Sequence, residues 1–370
     1  MKTRDAIIEY QKTLDDAGTL VKDLDLVDPV SAIALEFQST NGSTSNKGNY
    51  LSDVITKIEI VDGSEVLYSV SQSQLEALHF YKTGKTPALF PSEWASGAQR
   101  HACLLLFGRH LWDQEFAFDC QRFKNPQIKI TTNIAAITAA SATTAIVSGS
   151  LKGTIVAKVM EEGPRPSKYL MAKEIESFTS ATSGEKRIEL PTDKVYRMLM
   201  GRFWVQLSDI DEIITDLKLT CDSDKFIPIN RKVQQLDAEA LALFGRSRLK
   251  HDILTSHQTA FRLLHNKEPE LQVFLATALL YDIVGINYAW SSEGKLELAS
   301  HAGAADSTDR KFTMVEEGHA LHATLPIPFG IMSNPDTWFD PLSYKKVELV
   351  LTQAVAASCQ IVLEQVRPLV

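Results

Sequence analysis

No apolar run in this 370-residue chain reaches the roughly 18 residues that a membrane-spanning helix requires. Its first residues lack the charged-then-apolar pattern of a secretory signal. Basic residues are outnumbered, 38 Lys and Arg against 46 Asp and Glu for a net charge of −8, and they form no cluster or tail. Holding phosphates by direct contact needs clustered cations, so nucleic acid is not an expected partner. Cysteine is sparse: Cys103, Cys120, Cys221 and Cys359 stand apart, none in a Cys-x-x-Cys pair. They suit reduced, packed thiols in a chain made in a reducing cytoplasm. Without a secretory signal, Asn41-Gly42-Ser43 reads as a flexible loop rather than a glycan acceptor. The chain also lacks a Gly-rich phosphate loop, a nucleophile elbow and a Ser/His/Asp arrangement.

What it has instead is self-similarity at long period. Phe118-Asp119, then Phe123, Ile128 and Ile130, is matched by Phe339-Asp340, then Tyr344, Leu349 and Leu351. Nine or ten residues upstream of each copy an apolar run ends in Phe-Gly, at Gly108 and at Gly330. Further back, Ile55, Ile58 and Ile60 lead through an acidic turn to Glu76-Ala77-Leu78-His79-Phe80-Tyr81. Ile214, Leu217 and Leu219 lead in the same way to Glu239-Ala240-Leu241-Ala242-Leu243-Phe244. Four landmarks in one order mark two copies of one domain.

The copies read as all-β with short helical inserts. Ser31 to Phe37 and Ile55 to Ile60 alternate apolar with polar or small residues, the period of a half-buried strand. Asp62-Gly63 is a hairpin signal because such turns favour positive φ. Pro126 cannot donate to a ladder, which confines it to a strand start or an edge. Each half carries one helical insert, Ser71 to Tyr81 and Arg231 to Phe244. Short strands punctuated by turns, interrupted once per half, imply two β-sandwiches in tandem. The Ser183-Gly184 stretch is the best boundary between them. Asn133 to Ser150, nearly all Ala, Thr, Ser and Ile, reads as a strand plus a small-residue loop packed against something, a neighbouring subunit being one choice.

Catalytic and metal-binding constellations are thin. Glu316-Glu317-Gly318-His319-Ala320-Leu321-His322 is the one His/Glu cluster that could hold a metal. Its histidines are three apart, so on a strand they point to opposite faces, and loop or interface histidines are the stronger reading. Asp119 and Asp340 could be paired carboxylates. An Asp after an aromatic and before a turn usually caps backbone amides instead. Trp94, Trp112, Trp204, Trp290 and Trp338 are spread over both halves, as core or interface residues are. No catalytic, cofactor-binding or metal-binding residue is assigned, and no cofactor is expected.

The strand-turn-strand-helix run from Ile55 through Asp62-Gly63 to Leu78, and the Phe-Gly, Phe-Asp and aromatic closing hairpin of each half, carry a resemblance. The chain resembles the double jelly-roll major capsid proteins of tailless icosahedral viruses with an internal membrane, the tectivirus, corticovirus and adenovirus lineage. The resemblance implies two tandem eight-stranded jelly rolls, at about residues 28–185 and 186–370. It implies a non-enzymatic protein of the virion, made in the host cytoplasm. Its partners would be itself, as pseudo-hexameric homotrimers and neighbouring capsomers, together with penton, minor capsid or membrane proteins. It also implies an inward-facing N-terminal segment. Residues 1–27 read as a helical arm, with Ile7, Tyr10, Leu14 and Ala17 on one face. Lys2, Arg4 and Lys12 could meet lipid headgroups, so residues 1–18 would touch the internal membrane. Family members often carry tower insertions; this chain is expected to lack them and present a low exterior. The alternative is a secreted or cytoplasmic two-sandwich carbohydrate-active hydrolase or glycan-binding protein, which needs acids and aromatics converging in a cleft.

Overall fold

Twice along the chain, strands follow one order. The computed structural model describes every residue except 44–49, 93, 138–144, 206–207, 256–258, 276–287, 293–294, 300–309 and 370. The first set is β1 (Lys2–Thr13), β2 (Ala17–Asp23), β3 (Val30–Thr40), β4 (Ile55–Asp62), β5 (Glu65–Val70), a short β6 (Ala88–Phe90), β7 (Ala98–Leu106), β8 (Pro126–Asn133) and β9 (Lys152–Glu161). Helices α1 (Leu51–Val54) and α2 (Gln72–Thr83) flank its central hairpin. The second set opens with β10 (Lys168–Thr179), β11 (Glu185–Leu190) and β12 (Tyr196–Trp204). Helix α3 (Ile210–Ile213), the hairpin β13 (Ile214–Cys221) and β14 (Phe226–Lys232), and α4 (Val233–Phe244) come next. An insertion then holds β15 (Ser247–Thr255), β16 (Thr259–Arg262), β17 (His265–Leu275), β18 (Tyr288–Ser292), β19 (Lys295–Ala299) and β20 (Arg310–Leu321). The set closes with β21 (Thr324–Pro328), β22 (Val347–Gln353) and β23 (Ser358–Pro368).

In the first set β1-β9-β3-β7 faces β2-β8-β4-β5; in the second β10-β23-β12-β21 faces β11-β22-β13-β14. Both are the double Greek-key order of an eight-stranded jelly roll. The antiparallel ladders even share a defect, a bulge between Val30 and Ala32 in β3 and between Tyr196 and Met198 in β12. The hairpin turn at Gly63 has φ +60, and Pro126 is the first residue of its strand. The expected two rolls with short helical inserts are present.

Three expectations need correction. Residues 1–27 do not form a helical arm: β1 pairs with β9 and β2 with β8, as the first two strands of the first roll. The three- and four-residue spacing of Ile7, Tyr10 and Leu14 imitates a helix, but Ala6 and Ile8 are the side chains of β1 that pack on the core, while Ile7 and Tyr10 are exposed. The boundary at 185/186 also moves. Strand β10 pairs with β23, so the second roll begins at Lys168, and Ser183-Gly184 is only the turn between β10 and β11, with Gly184 at φ +93. Finally, the second roll does carry an insertion: β15-β20-β17 and β16-β19-β18 form two small sheets between α4 and β21. The contact expected of Asn133 to Ser150 falls largely on 138–144, outside the described residues.

Two apolar cores follow from strand alternation. Ile33, Leu35, Phe37, Ile155, Ala157 and Val159 fill the first roll. In the second, Leu199 and Phe203 of β12 and Cys359, Ile361 and Leu363 of β23 point into its own core. The alternate residues Met198, Met200 and Val362 point the other way and join the core cluster of the first roll. The rolls are fused through a sheet as well: β5 and β10 meet at the parallel pair Lys173 and Ser69, making one eight-stranded sheet, β2-β8-β4-β5-β10-β23-β12-β21.

Candidate functional site

The histidines of the Glu316–His322 segment do not converge. Buried Glu316 lies between His265, whose Nδ1 is 2.6 Å from Oε1, and His251, whose Nε2 is 2.6 Å from Oε2. His319 instead meets Asp237 of α4 at 3.0 Å. His322 meets Glu76 of α2 at 2.6 Å, and the other oxygen of Glu76 is 3.1 Å from His101 on β7. The Ser52 hydroxyl donates to Glu76 at 2.7 Å. Burial pushes Glu76 and Glu316 up, but the flanking imidazoles outweigh it and hold both carboxyls well below the usual range. Among the described residues no group of three or more His, Cys, Asp or Glu is arranged to hold a metal. The Glu316 centre joins three strands of the insertion, His319 ties the insertion to α4, and Glu76 ties the turn after β20 to α2 and the first roll. The sequence showed one side of each pair; His101, His251 and His265 come from other strands and carry no spacing signal.

Glu76 and Asp237 occupy one position in two equivalent helices. Both α2 and α4 have 12 residues. Each ends at a glycine whose N–H donates four residues back, Gly84 to Phe80 at 2.8 Å and Gly245 to Leu241 at 2.9 Å. The match read from the sequence, Glu76 to Glu239, is therefore two residues out of register.

The repeated aspartates are turn caps. Asp119 accepts the Gln121 N–H at 3.2 Å, and Asp340 accepts the Leu342 N–H at 2.9 Å. Five and six residues on, Lys124 and Asn125 donate to Asp62 (3.2 and 2.7 Å), as Lys345 and Lys346 donate to Asp222 (2.9 and 3.1 Å). The aromatic partners stack in both copies, Phe118 on Phe123 at 4.8 Å and Phe339 on Tyr344 at 5.9 Å. Asn41 is buried, its amide donating to the carbonyls of Ser92 and Trp94, a structural role rather than that of a glycan acceptor. All four cysteines are free and buried. Trp338 packs against Phe116 across the two rolls, 5.7 Å between ring centroids.

The most elaborate construction in the molecule is the seam between the rolls, and α2 is its centre. A Ser71/Gln74 capping box starts the helix, and every residue from Gln72 to Tyr81 is buried. One face covers the first roll; the other lies on the second. Gln74 donates to Glu174 at 2.5 Å, and the Tyr81 hydroxyl meets Thr324 at 2.8 Å. Lys82 and Arg197 both reach Glu364, at 2.6 and 2.5 Å, with all three side chains at most 2 % exposed. Burial pushes Glu364 up, but these two cations outweigh it and hold its carboxyl below the ordinary range. Main-chain bonds from Leu170 to Phe107 (2.7 Å) and Ala117 to Lys168 (3.1 Å) close the seam.

Among the edge strands, two correspond to the joined pair β5 and β10. β1 pairs only with β9 and β14 only with β13 among the described residues. Both carry exposed apolar side chains, Ile7 and Tyr10 on β1 and Phe226 and Ile227 on β14. Long open edges invite pairing with another chain.

No family model matches the sequence. No curated protein matches it either. Solved structures do. The STIV MCP aligns over 99% of this chain and 97% of its own, with a TM-score of 0.60 at 12% identity. The chain has the double jelly-roll fold. The major capsid protein P2 from bacteriophage PM2 aligns over 99% and 98%, TM-score 0.53, 11% identity. The PBCV-1 virus capsid aligns over 99% and 93%, TM-score 0.56, 9% identity. At such identities the shared property is the double jelly roll itself. Its match to each of these runs from end to end, both rolls included.

Proposed function

We propose that this chain is a major capsid protein of a virion. Three copies form a pseudo-hexagonal homotrimer, and these trimers tile an icosahedral shell over an internal membrane. Its role is structural rather than catalytic. One observation carries the reading: β5 of the first roll is joined to β10 of the second, while the corresponding strands β1 and β14 stay open. The operation that takes the first roll onto the second, applied again, brings the first roll of a new copy against β14. Such a contact is head-to-tail, and head-to-tail contacts give rings when the rotation closes. Six rolls from three chains make a closed ring in which every β14 faces a β1 of the next chain. Likeness to the three capsid structures supports this choice of ring and the shell it builds. Penton, minor capsid and membrane proteins would then meet the trimer at its outer rim and its base.

The test is mass in solution followed by imaging. Light scattering of the purified chain at micromolar concentration should return the mass of three chains, and electron micrographs should show hexagonal capsomers. A single-chain mass at every concentration would overturn the proposal.

A further inference from the structure

The two rolls present the same face to different surroundings. Hydrogen-bond landmarks fix the residue equivalence. Val30 donates to Phe118 and Tyr196 to Phe339, both at 2.8 Å; Met160 donates to Pro29 and Val366 to Val195, both at 2.9 Å. Ala34 on β3 therefore corresponds to Met200 on β12, Val156 on β9 to Val362 on β23, and Lys158 to Glu364. Met200 and Val362 are at most 1 % exposed because α2 and the first roll lie on them. Ala34 and Val156 are only half-buried. With Ala102 and Leu104 they floor a concavity of about 660 Å³, apolar at its base.

The helices differ in the complementary way. α2 is buried on both sides, whereas α4 buries only Val233, Leu236, Asp237 and Ala240. Its other face is open, and Leu243, 58 % exposed, stands where Lys82 stands in α2. Lys82 reaches Glu364; the residue equivalent to Glu364 is Lys158, which is already paired in its own chain with Asp5 at 2.7 Å. Arg231 and Glu239, beside the open face of α4, are likewise paired with each other. The charges of Lys158, Arg231 and Glu239 are thus neutralised at home, and the groups left to be covered at the centre, Leu243, Ala34 and Val156, are apolar.

We propose that the open face of α4 in one copy docks into the concavity of the next copy, with Leu243 over Ala34 and Val156. The occupant is a second copy of this chain, because the same chain already performs this docking internally with α2. The seam between chains then repeats the seam within the chain, with the Lys82–Glu364–Arg197 trio replaced by an apolar contact. This rests on the trimeric reading above, and the experiment separates the two. Cysteines are placed at Leu243 and Ala34 in the full chain (Leu243→Cys with Ala34→Cys), the four native thiols being buried. Mild oxidation should convert the double variant, and neither single variant, into covalent dimers and trimers on a non-reducing gel. Leu243→Asp should weaken trimerisation roughly tenfold or more while the circular-dichroism spectrum of the chain is unchanged. If the wild type is a trimer, yet the cysteines stay free, α4 does not dock here and the inference falls while the trimer stands. The same holds if Leu243→Asp trimerises as tightly as the wild type. A wild type that is monomeric throughout removes both.

Discussion

At the residue scale, the repeated aspartates show that one sequence signal can sit in two energetic settings. Asp119 is buried and also holds Arg165 at 3.0 Å, whereas Asp340 is exposed. Asp119→Ala removes the acceptor of a backbone N–H and one partner of the Arg165 guanidinium, and should cost about 2 kcal/mol. Asp340→Ala should cost about 1 kcal/mol or less, the ordinary worth of an exposed cap. Urea denaturation of the two variants measures both; equal losses would contradict this account. His79 makes a prediction about acid. Its Nδ1 accepts the Leu104 N–H at 2.8 Å, and burial lowers its pKa to about 4. The unfolded chain, with an ordinary imidazole, binds this proton at higher pH than the folded chain does. Stability should therefore fall as pH drops from about 6.5 to about 4, by up to roughly 3 kcal/mol from this residue. Glu76 and Glu316 act lower down: their depressed pKa stabilises the fold above about pH 4.5 and is lost as acid protonates them. His79→Gln, which keeps an acceptor for Leu104, should flatten the upper part of the melting-temperature profile and leave the lower part. An unchanged profile above pH 5 would refute the assignment.

At the element scale, the N-terminal pair of strands carries the sharpest expectation. Removing residues 1–23 deletes β1 and β2, leaving β9 and β8 as raw edges of two opposed sheets. The truncated chain should be insoluble or lack cooperative melting. A truncated chain that melts like the wild type would mean these strands are dispensable decoration. The reason they escaped a reading of the sequence is physical. An edge strand with one side on the core and the other open needs few apolar residues, and the exposed Ile7 and Tyr10 create a false helical stripe. Strands buried within a sheet, such as β3 and β4, alternate cleanly and were legible, as were Asp62-Gly63, Pro126 and the two longer helices, α2 and α4. The boundary was misread because a glycine turn inside a sheet has the composition of a linker. Sites fared differently. The turn aspartates are local and could be read directly, but the Glu–His centres and the Glu364 trio join residues far apart in sequence and leave no local pattern.

On the scale of the whole molecule, the buried seam is expected to make the two rolls unfold together. Lys82→Met leaves Glu364 with one cation instead of two in a fully buried place. Removing one partner of such a group costs about 3–5 kcal/mol. The variant should melt earlier in a single transition rather than release the second roll alone. Two separated transitions in calorimetry would show that the rolls are independent.

Only Glu162 to Ser167 connects β9 to β10. So short a tether holds the two halves of the internal seam at a very high effective concentration, and their meeting carries no cost of finding a partner. A seam formed under those conditions tolerates ions whose desolvation is expensive. The proposed seam between separate chains would have no tether and would hold only at whatever concentration the protein reaches, which favours surfaces that shed water readily. One fold, written twice in a chain, would thereby be free to evolve its internal junction and the proposed external one under different constraints.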